Sequence, residues 1–243
     1  MTKSYGGGSG AVAESRYVTI AQTLAEEIAA NTTEEPGPRR LPSERNLAER
    51  FDCQRPTIRE ALHLLAGRGL IYRKDRSGWY VSPPRLHYNP TMPVPLKEIT
   101  ESQDRELHTE VLTTDPEGQP EASVPTAKFL ALRRRSLDGL PVLVERIYMQ
   151  QRYRKQLLDK DLTTSISHLL QHDLGARITH EQLTLNSTAM VPDVAALLGS
   201  RTGAPIFEIE RVRFDGDQLL SIDVEFWKPE AIHVTLETDW VND

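Results

Sequence analysis

The stretch LPSERNLAERFDCQRPTIREALHLLAGRGLIYRKDRSGWYV, residues 41–81, carries two short amphipathic helix patterns, a tight turn between them and a basic two-strand ribbon. Ser43 stands at an N-cap position, and Glu44 follows in the first turn, where negative charge suits the helix dipole. Leu47 and Phe51 are four apart and share one face. Asp52-Cys53 reads as the turn. Pro56 fits the first turn of the next helix, where its missing N–H costs nothing. Ile58, Leu62 and Leu65 then recur at helical spacing, which leaves Arg55, Thr57 and Arg59 off the core side near the helix N-terminus. Gly69 ends this helix, 70–73 starts a strand, Gly78 supplies the bend, and 79–81 returns. That is the layout of a winged helix-turn-helix, whose second helix inserts its N-terminal end into the DNA major groove. Arginine is the side chain that reads guanine O6 and N7 in bidentate fashion.

The charge map favours this reading over the alternative that Arg55 and Arg59 are ordinary solvated charges. From Arg39 to Arg76 there are ten Lys/Arg against five acids, an excess of five positive charges. The whole chain has net charge −6, so the remainder carries −11. A basic island in an acidic protein is an electrostatic footprint for phosphate.

The same stretch resembles the DNA-binding domain of the GntR family of bacterial repressors, whose pattern is roughly LPSE–x–x–LA–x–x–F–x–V–S–R–x–T–V–R–x–AL–x–x–L–x–x–x–GLI. The resemblance covers 16–84. It implies that Arg40, Ser43, Glu44 and Arg45 approach backbone and groove, that Arg55, Thr57 and Arg59 read bases or phosphates, and that Ser77 and Gly78 sit at the wing tip. Two departures stand out. Gln54 replaces the usual serine at the start of the recognition helix, and Arg76-Ser77-Gly78 replaces the usual Gly-Arg-Gly of the wing.

At 243 residues, with 38% hydrophobic and 26% charged residues, the chain fits two modest cores. No apolar run approaches the ~18 residues that mark a membrane span. Residues 1–15 are Gly/Ser-rich without the apolar block of a signal peptide, and read as a disordered tail or tag. The single cysteine, Cys53, excludes an internal disulfide and reads as a small buried residue, with a redox switch as the alternative. Ile20, Leu24 and Ile28 predict a first helix over 17–30, and 31–38 a loop. Ser82-Pro83-Pro84 stops the wing strand. The proline-rich segment 85–93 reads as a stiff linker to a second domain over 94–243. There, 106–112 alternates weakly, 128–135, 142–150, 178–186, 206–214 and 219–227 read as strands, and 162–174 and 191–198 as helices. Short turns such as Asp138-Gly139 and Asp215-Gly216 make this an antiparallel α+β domain.

Three pieces of that second half resemble the UTRA effector-binding domain of the histidine-utilisation-repressor branch (HutC) of the GntR family: RRRSLDGLPVLVE (133–145), SISHLL (165–170) and IFEIER (206–211). The resemblance covers 94–243 and implies a chorismate-lyase-like fold. Arg133 and Arg135 lie two apart on a strand and face the same way, a pairing suited to phosphate, phosphonate or carboxylate. Ser165 and Ser167 open a helix whose N-terminus offers N–H groups to an anion. Glu145 on the neighbouring strand suits an amine or hydroxyl, and Arg211 completes the candidate effector set. The bland alternative is surface arginines paired with local acids.

Other chemistry is thin. There is no phosphate-cradling glycine loop, no HExxH and no Gly-x-Ser-x-Gly. His168 and His172 are i, i+4 with His180 nearby, but read as a solvated face rather than a metal site. No catalytic residue, metal or cofactor is expected. The resulting expectation is a cytoplasmic, homodimeric, ligand-responsive repressor of a palindromic double-stranded DNA operator, with no membrane partner. Its effector is a small anion: the linker RLHYNPT resembles that of phosphonate-utilisation regulators and points to 2-aminoethylphosphonate or a relative, with sugar phosphates and histidine-pathway acids as runners-up. A lyase-like enzyme in the second half is the alternative.

Overall fold

The structure is a computed structural model that describes residues 15–30, 39–74 and 77–237. The expected tail, all but its last residue, the loop 31–38 and Arg76 of the wing lie outside the described residues. The chain divides into two compact units, Met1–Pro83 and Pro84–Asp243.

In the first unit, α1 (Arg16–Ala30) buries Ile20 and Leu24 of the four-residue repeat together with Ala21, while Ile28 is half-buried. α2 (Glu44–Arg50) starts at Ser43, whose side chain accepts from the Asn46 amide, and buries Leu47 and Ala48. Asp52 makes the turn with φ 44°. α3 (Arg55–Gly67) has Pro56 in its first turn and buries Ile58, Ala61, Leu62 and Leu65. β1 (Ile71–Lys74) and β2 (Gly78–Val81) pair antiparallel as the wing. Residues 39–41 extend that ribbon, through Val81 N–H to the Arg39 carbonyl at 2.8 Å and Leu41 N–H to the Trp79 carbonyl at 2.9 Å. Cys53 is half-buried against this core, not buried outright, because it sits on the turn between helices.

In the second unit, β3 (Leu86–Tyr88) comes first, then α4 (Leu96–Glu101), β4 (Leu107–Thr113), β5 (Ala127–Leu137) and β6 (Leu140–Gln150). There follow α5 (Gln151–Leu157), α6 (Ile166–His168), β7 (His180–Ala189), α7 (Pro192–Leu197), β8 (Pro205–Asp215), β9 (Gln218–Trp227) and β10 (Ile232–Val234). Six strands form one antiparallel sheet in the order β4-β5-β6-β9-β8-β7. The β5–β6 hairpin turns at Asp138-Gly139, both with positive φ (50° and 77°), the twist-matched geometry that Asp-Gly favours. The fold is therefore α+β, a winged helix-turn-helix unit followed by an antiparallel-sheet unit.

Strand alternation divides the side chains between the two faces of the sheet. On one face Val144, Tyr148, Ile222 and Phe226 pack with Val194, Ala195 and Leu198 from α7 and its end. The other face carries two separate apolar clusters. Ile147 and Met149 pack with Leu157, Leu162, Ile166 and Leu170, while Leu143, Ile209 and Trp227 pack with Leu86, Tyr88 and Ile232.

Two expectations need correction. The segment 85–93 is not a stiff linker outside the second unit: β3 pairs in parallel with β10, and Leu86 is fully buried. Alternating Leu86 and Tyr88 around His87 give the strand its buried face, a signal too short to stand out among the prolines. The helix expected over 162–174 is a single α-turn, α6, followed by a π-helical turn at Leu169–Asp173 that keeps Leu169 and Leu170 in the core. Composition also gave no sign of α4 or α5. Replacing the buried Leu86 by alanine is expected to cost about 2–5 kcal/mol of unfolding free energy, as deleted core methylenes do. A urea melt followed by circular dichroism reads this; an unchanged midpoint would mean that 85–93 behaves as a linker after all.

Candidate functional site

Because Ile58, Leu62 and Leu65 are buried, α3 turns Arg55 and Arg59 outward, with side chains 59% and 53% exposed. Both are held by one carboxylate. Arg59 Nε donates to Glu44 Oε2 at 2.8 Å, and Arg55 Nη2 lies 3.8 Å from the same oxygen. Burial pushes the Glu44 carboxyl up, but Arg59, a Trp79 hydrogen bond and Arg55 together hold it below the ordinary carboxylate value. Glu44 thus stays ionised and ties α2, α3 and the wing together. Thr57, half-buried on the same end of α3, lines an open cleft of about 690 Å³ with Arg45, Cys53, Gln54 and Arg55. Gln54 makes no side-chain cap, so its amide remains at the mouth of α3.

The other reading-head candidates have distinct places. Arg45 is exposed and pairs with Glu49 at 2.9 Å. Ser43 is engaged as the α2 cap and also donates to Asn46 Oδ1 at 2.9 Å. Ser77 Oγ lies 2.6 Å from the Tyr80 hydroxyl. Arg40 bridges to Tyr80, and its guanidinium lies 3.4 Å from where a Cβ on Gly78 would stand. With φ at 111° as well, position 78 accepts only glycine without strain.

In the second unit the structure brings Arg133, Arg135 and Glu145 into one buried group. Arg133, 1% exposed, gives Nε and Nη2 to Glu145 Oε2 at 3.0 and 2.7 Å. Its Nη1 donates to the Leu162 and Thr164 carbonyls at 2.8 and 2.7 Å, which pins the turn leading into Ser165. Arg135 Nη2 reaches the same Glu145 oxygen at 3.1 Å, but its buried Nε has no protein partner. The two arginines are therefore unequal: every nitrogen of Arg133 is engaged, making it a brace, and Arg135 keeps a free buried donor. Ser165 caps α6 by accepting from the His168 amide at 3.3 Å, and its hydroxyl lies 3.1 Å from that of Ser167.

Arg211 belongs to an adjoining group. It donates to Glu181 at 2.5 Å, to the Tyr88 hydroxyl at 3.0 Å and to the Pro90 carbonyl at 2.8 Å, and lies 3.6 Å from Glu225. Arg213 pairs with Asp223 at 2.5 Å and Glu181 at 3.1 Å. Glu225 also accepts from the Trp227 indole at 2.8 Å and the Tyr88 hydroxyl at 3.3 Å. The two groups meet where Glu145 and Glu225 stand opposite each other on β6 and β9. Burial raises the Glu145 carboxyl, but Arg133 and Arg135 outweigh it and hold it well below the usual range. Burial pushes Glu225 up, and Glu145 opposes the pull of Arg211, so its carboxyl lies above the usual range. Sequence reasoning missed Tyr88, Glu181, Arg213, Asp223 and Glu225. The i, i+2 spacing of Arg211 with Arg213 and of Asp223 with Glu225 is the signal that singled out Arg133 with Arg135.

His168 and His172 stack at 4.2 Å. Among the described residues no group of three or more metal-ligating side chains forms, and no helix is long and apolar enough to cross a membrane.

A family model described as the UTRA domain matches residues 102–233, and one described as bacterial regulatory proteins of the gntR family matches residues 16–81. The chain is 28% identical over 208 residues to the uncharacterized HTH-type transcriptional regulator YihL of Escherichia coli K12, covering 81% of this chain and 87% of that protein. It is 27% identical over 224 residues to the HTH-type transcriptional regulator Rv0792c of Mycobacterium tuberculosis, covering 88% and 83%. The crystal structure of PhnF from Mycobacterium smegmatis has the same fold, with a TM-score of 0.58 at 20% identity over 90% of this chain and 99% of that one.

Glu145→Gln leaves two buried guanidiniums sharing no carboxylate, and is expected to cost about 3–5 kcal/mol at pH 7. Since the folded carboxyl is depressed, the wild-type advantage is present above its unfolded value and is lost as pH falls through the folded one. Denaturant melts of both proteins between pH 7 and pH 3 should show the gap narrowing below the unfolded value without closing, since the folded carboxyl titrates at about 2.

Proposed function

The chain belongs to the UTRA-domain regulators with a gntR-type DNA-binding head, and on that premise we propose that this transcription regulator is a cytoplasmic, ligand-responsive repressor rather than an enzyme. The observation that carries the DNA half is the pair Arg55 and Arg59, turned outward by the buried stripe of α3 and both in reach of Glu44. Two such heads in a homodimer would read the half-sites of a palindromic operator, since two-fold protein symmetry is mirrored in the DNA. Arg40, Arg45, Thr57, Ser77 and Gly78 complete the proposed DNA surface, Ser43 by capping α2 and Glu44 by aiming the two arginines.

The second unit is the sensor in this reading. Arg135, with Arg133 behind it, supplies the positive side of a small-anion site beside the Ser165 and Ser167 turn, and Glu145 and Arg211 hold its floor. A phosphonate such as 2-aminoethylphosphonate is the candidate effector, with sugar phosphates next. The ligand acts by population shift: it binds the dimer whose heads no longer match the half-sites better than the one whose heads do.

Gel shifts with a fragment upstream of the chain's own gene test the DNA half. Arg59→Ala is expected to weaken binding by roughly 1–3 kcal/mol and to relax preference at one base pair. Equal affinity at moderate salt would remove α3 as the reading helix. Binding by the parent protein should fall steeply with salt despite the acidic whole, with a log–log slope on the order of −0.9 per neutralised phosphate. A flat response would assign the basic island to another partner.

A further inference from the structure

The buried ionic network of the sensor consists of two groups of opposite net charge. Arg133 and Arg135 share the single carboxylate of Glu145, which leaves that group at +1. Arg211 and Arg213 face Glu181, Asp223 and Glu225, which leaves the second group at −1 with all three ionised. The groups adjoin where Glu145 and Glu225 stand opposite each other across β6 and β9, and together they are neutral. Arg133, Arg135, Glu145, Arg211, Arg213, Asp223 and Glu225 are all buried.

An anion placed on Arg135 cancels the +1 group and leaves the −1 group uncompensated around the buried Asp223 and Glu225, with only Glu181 partly reaching solvent. Uncompensated buried charge is expensive, and a group that can change protonation does so instead. We propose that this site admits only an electroneutral load: an anion together with a proton that Glu225 takes up, or a zwitterion whose own ammonium settles against Glu225. This rests on reading Arg133 and Arg135 as the anion site, and it narrows that site's preferred ligands to small zwitterionic acids.

Glu225 is the proton acceptor because of what surrounds it. Arg211 on β8 approaches it at 3.6 Å rather than in a close ion pair, Tyr88 on β3 and Trp227 on β9 contribute only neutral donors, and Glu145 on β6 and Asp223 on β9 are like charges. Arg135 on β5 also pulls it down, but less than Arg211 does. Its carboxyl already lies above the usual range, whereas Glu145 is clamped by three arginine donors and stays ionised.

Ethanesulfonate and taurine test this, since they differ by one ammonium and neither changes charge between pH 6 and 8. Titration calorimetry on the full chain, in buffers of different ionisation enthalpy, reads affinity and proton uptake together. Ethanesulfonate is expected to bind with uptake of about one proton and to weaken about tenfold per pH unit wherever Glu225 starts ionised. Taurine should bind more tightly, with no uptake and a flat pH profile. In Glu225→Gln, with folding checked by circular dichroism, ethanesulfonate should lose its proton uptake and taurine its advantage. Should that variant fail to fold, the two ligands on the parent protein still decide. Ethanesulfonate binding without uptake, and no more weakly than taurine at pH 8, overturns the inference and leaves the anion site standing. Failure of both ligands to bind at tens of millimolar overturns the anion site and the inference together.

Discussion

A β-sheet that buries charge must satisfy it within the sheet, and this constraint organises the second unit. The Glu145 carboxylate lies between Leu143 and Ile147, which belong to two different apolar clusters. Hydrophobic packing at either end seals the strip, and the arginine–carboxylate pairs fill what packing cannot. Such pairs are poor sources of net stability, because desolvation offsets most of their attraction. What they provide is direction: each guanidinium has one arrangement that satisfies it. Arg133 illustrates this, joining β5 to β6 and to the carbonyls before Ser165 with a single side chain.

The reading head uses the same device at the surface. Glu44 sits in the first turn of α2 and gathers Arg59, Arg55 and the wing's Trp79. An exposed ion pair adds little stability, but here the partners are the side chains we propose for DNA contact. Held at one carboxylate, Arg55 and Arg59 lose less rotamer freedom on meeting a base or phosphate than two unrestrained arginines would. The negative charge also raises the cost of binding anything that does not replace it well. Phosphate and guanine O6/N7 do so with geometry; a generic anion does not.

Much of this was legible in the sequence, and the pattern of success has a physical reason. Ser43, Pro56 and the Ile58–Leu62–Leu65 stripe act locally, so caps and periodicity identified α2 and α3 within a residue or two. Long strands such as β5, β6, β8 and β9 also announce themselves by run length. β3 did not, because three residues among prolines form a strand only when Ile232–Val234 arrives beside them. The site was half legible for the same reason. Spacing placed Arg133 and Arg135 on one face, but which acid each meets depends on strand register. The pairing of Glu145 with Glu225 across β6 and β9 is a fact of topology.

The β3–β10 ribbon has a consequence for how the protein is made. It joins the first strand of the second unit to the last one, in parallel, through Leu86 N–H to the Ala231 carbonyl and Thr235 N–H to the Tyr88 carbonyl. Such long-range closure is slow, since loop entropy must be overcome before the contact returns anything. On the ribosome, Leu86 and Tyr88 emerge early and then wait for nearly the whole unit to be synthesised before their partners exist. The helix-turn-helix core, built from contacts among residues 16–81, has no such wait. A chain halted before residue 232 would present a finished DNA reader attached to a sheet whose opening strand has nowhere to dock, the kind of intermediate that chaperones and proteases recognise.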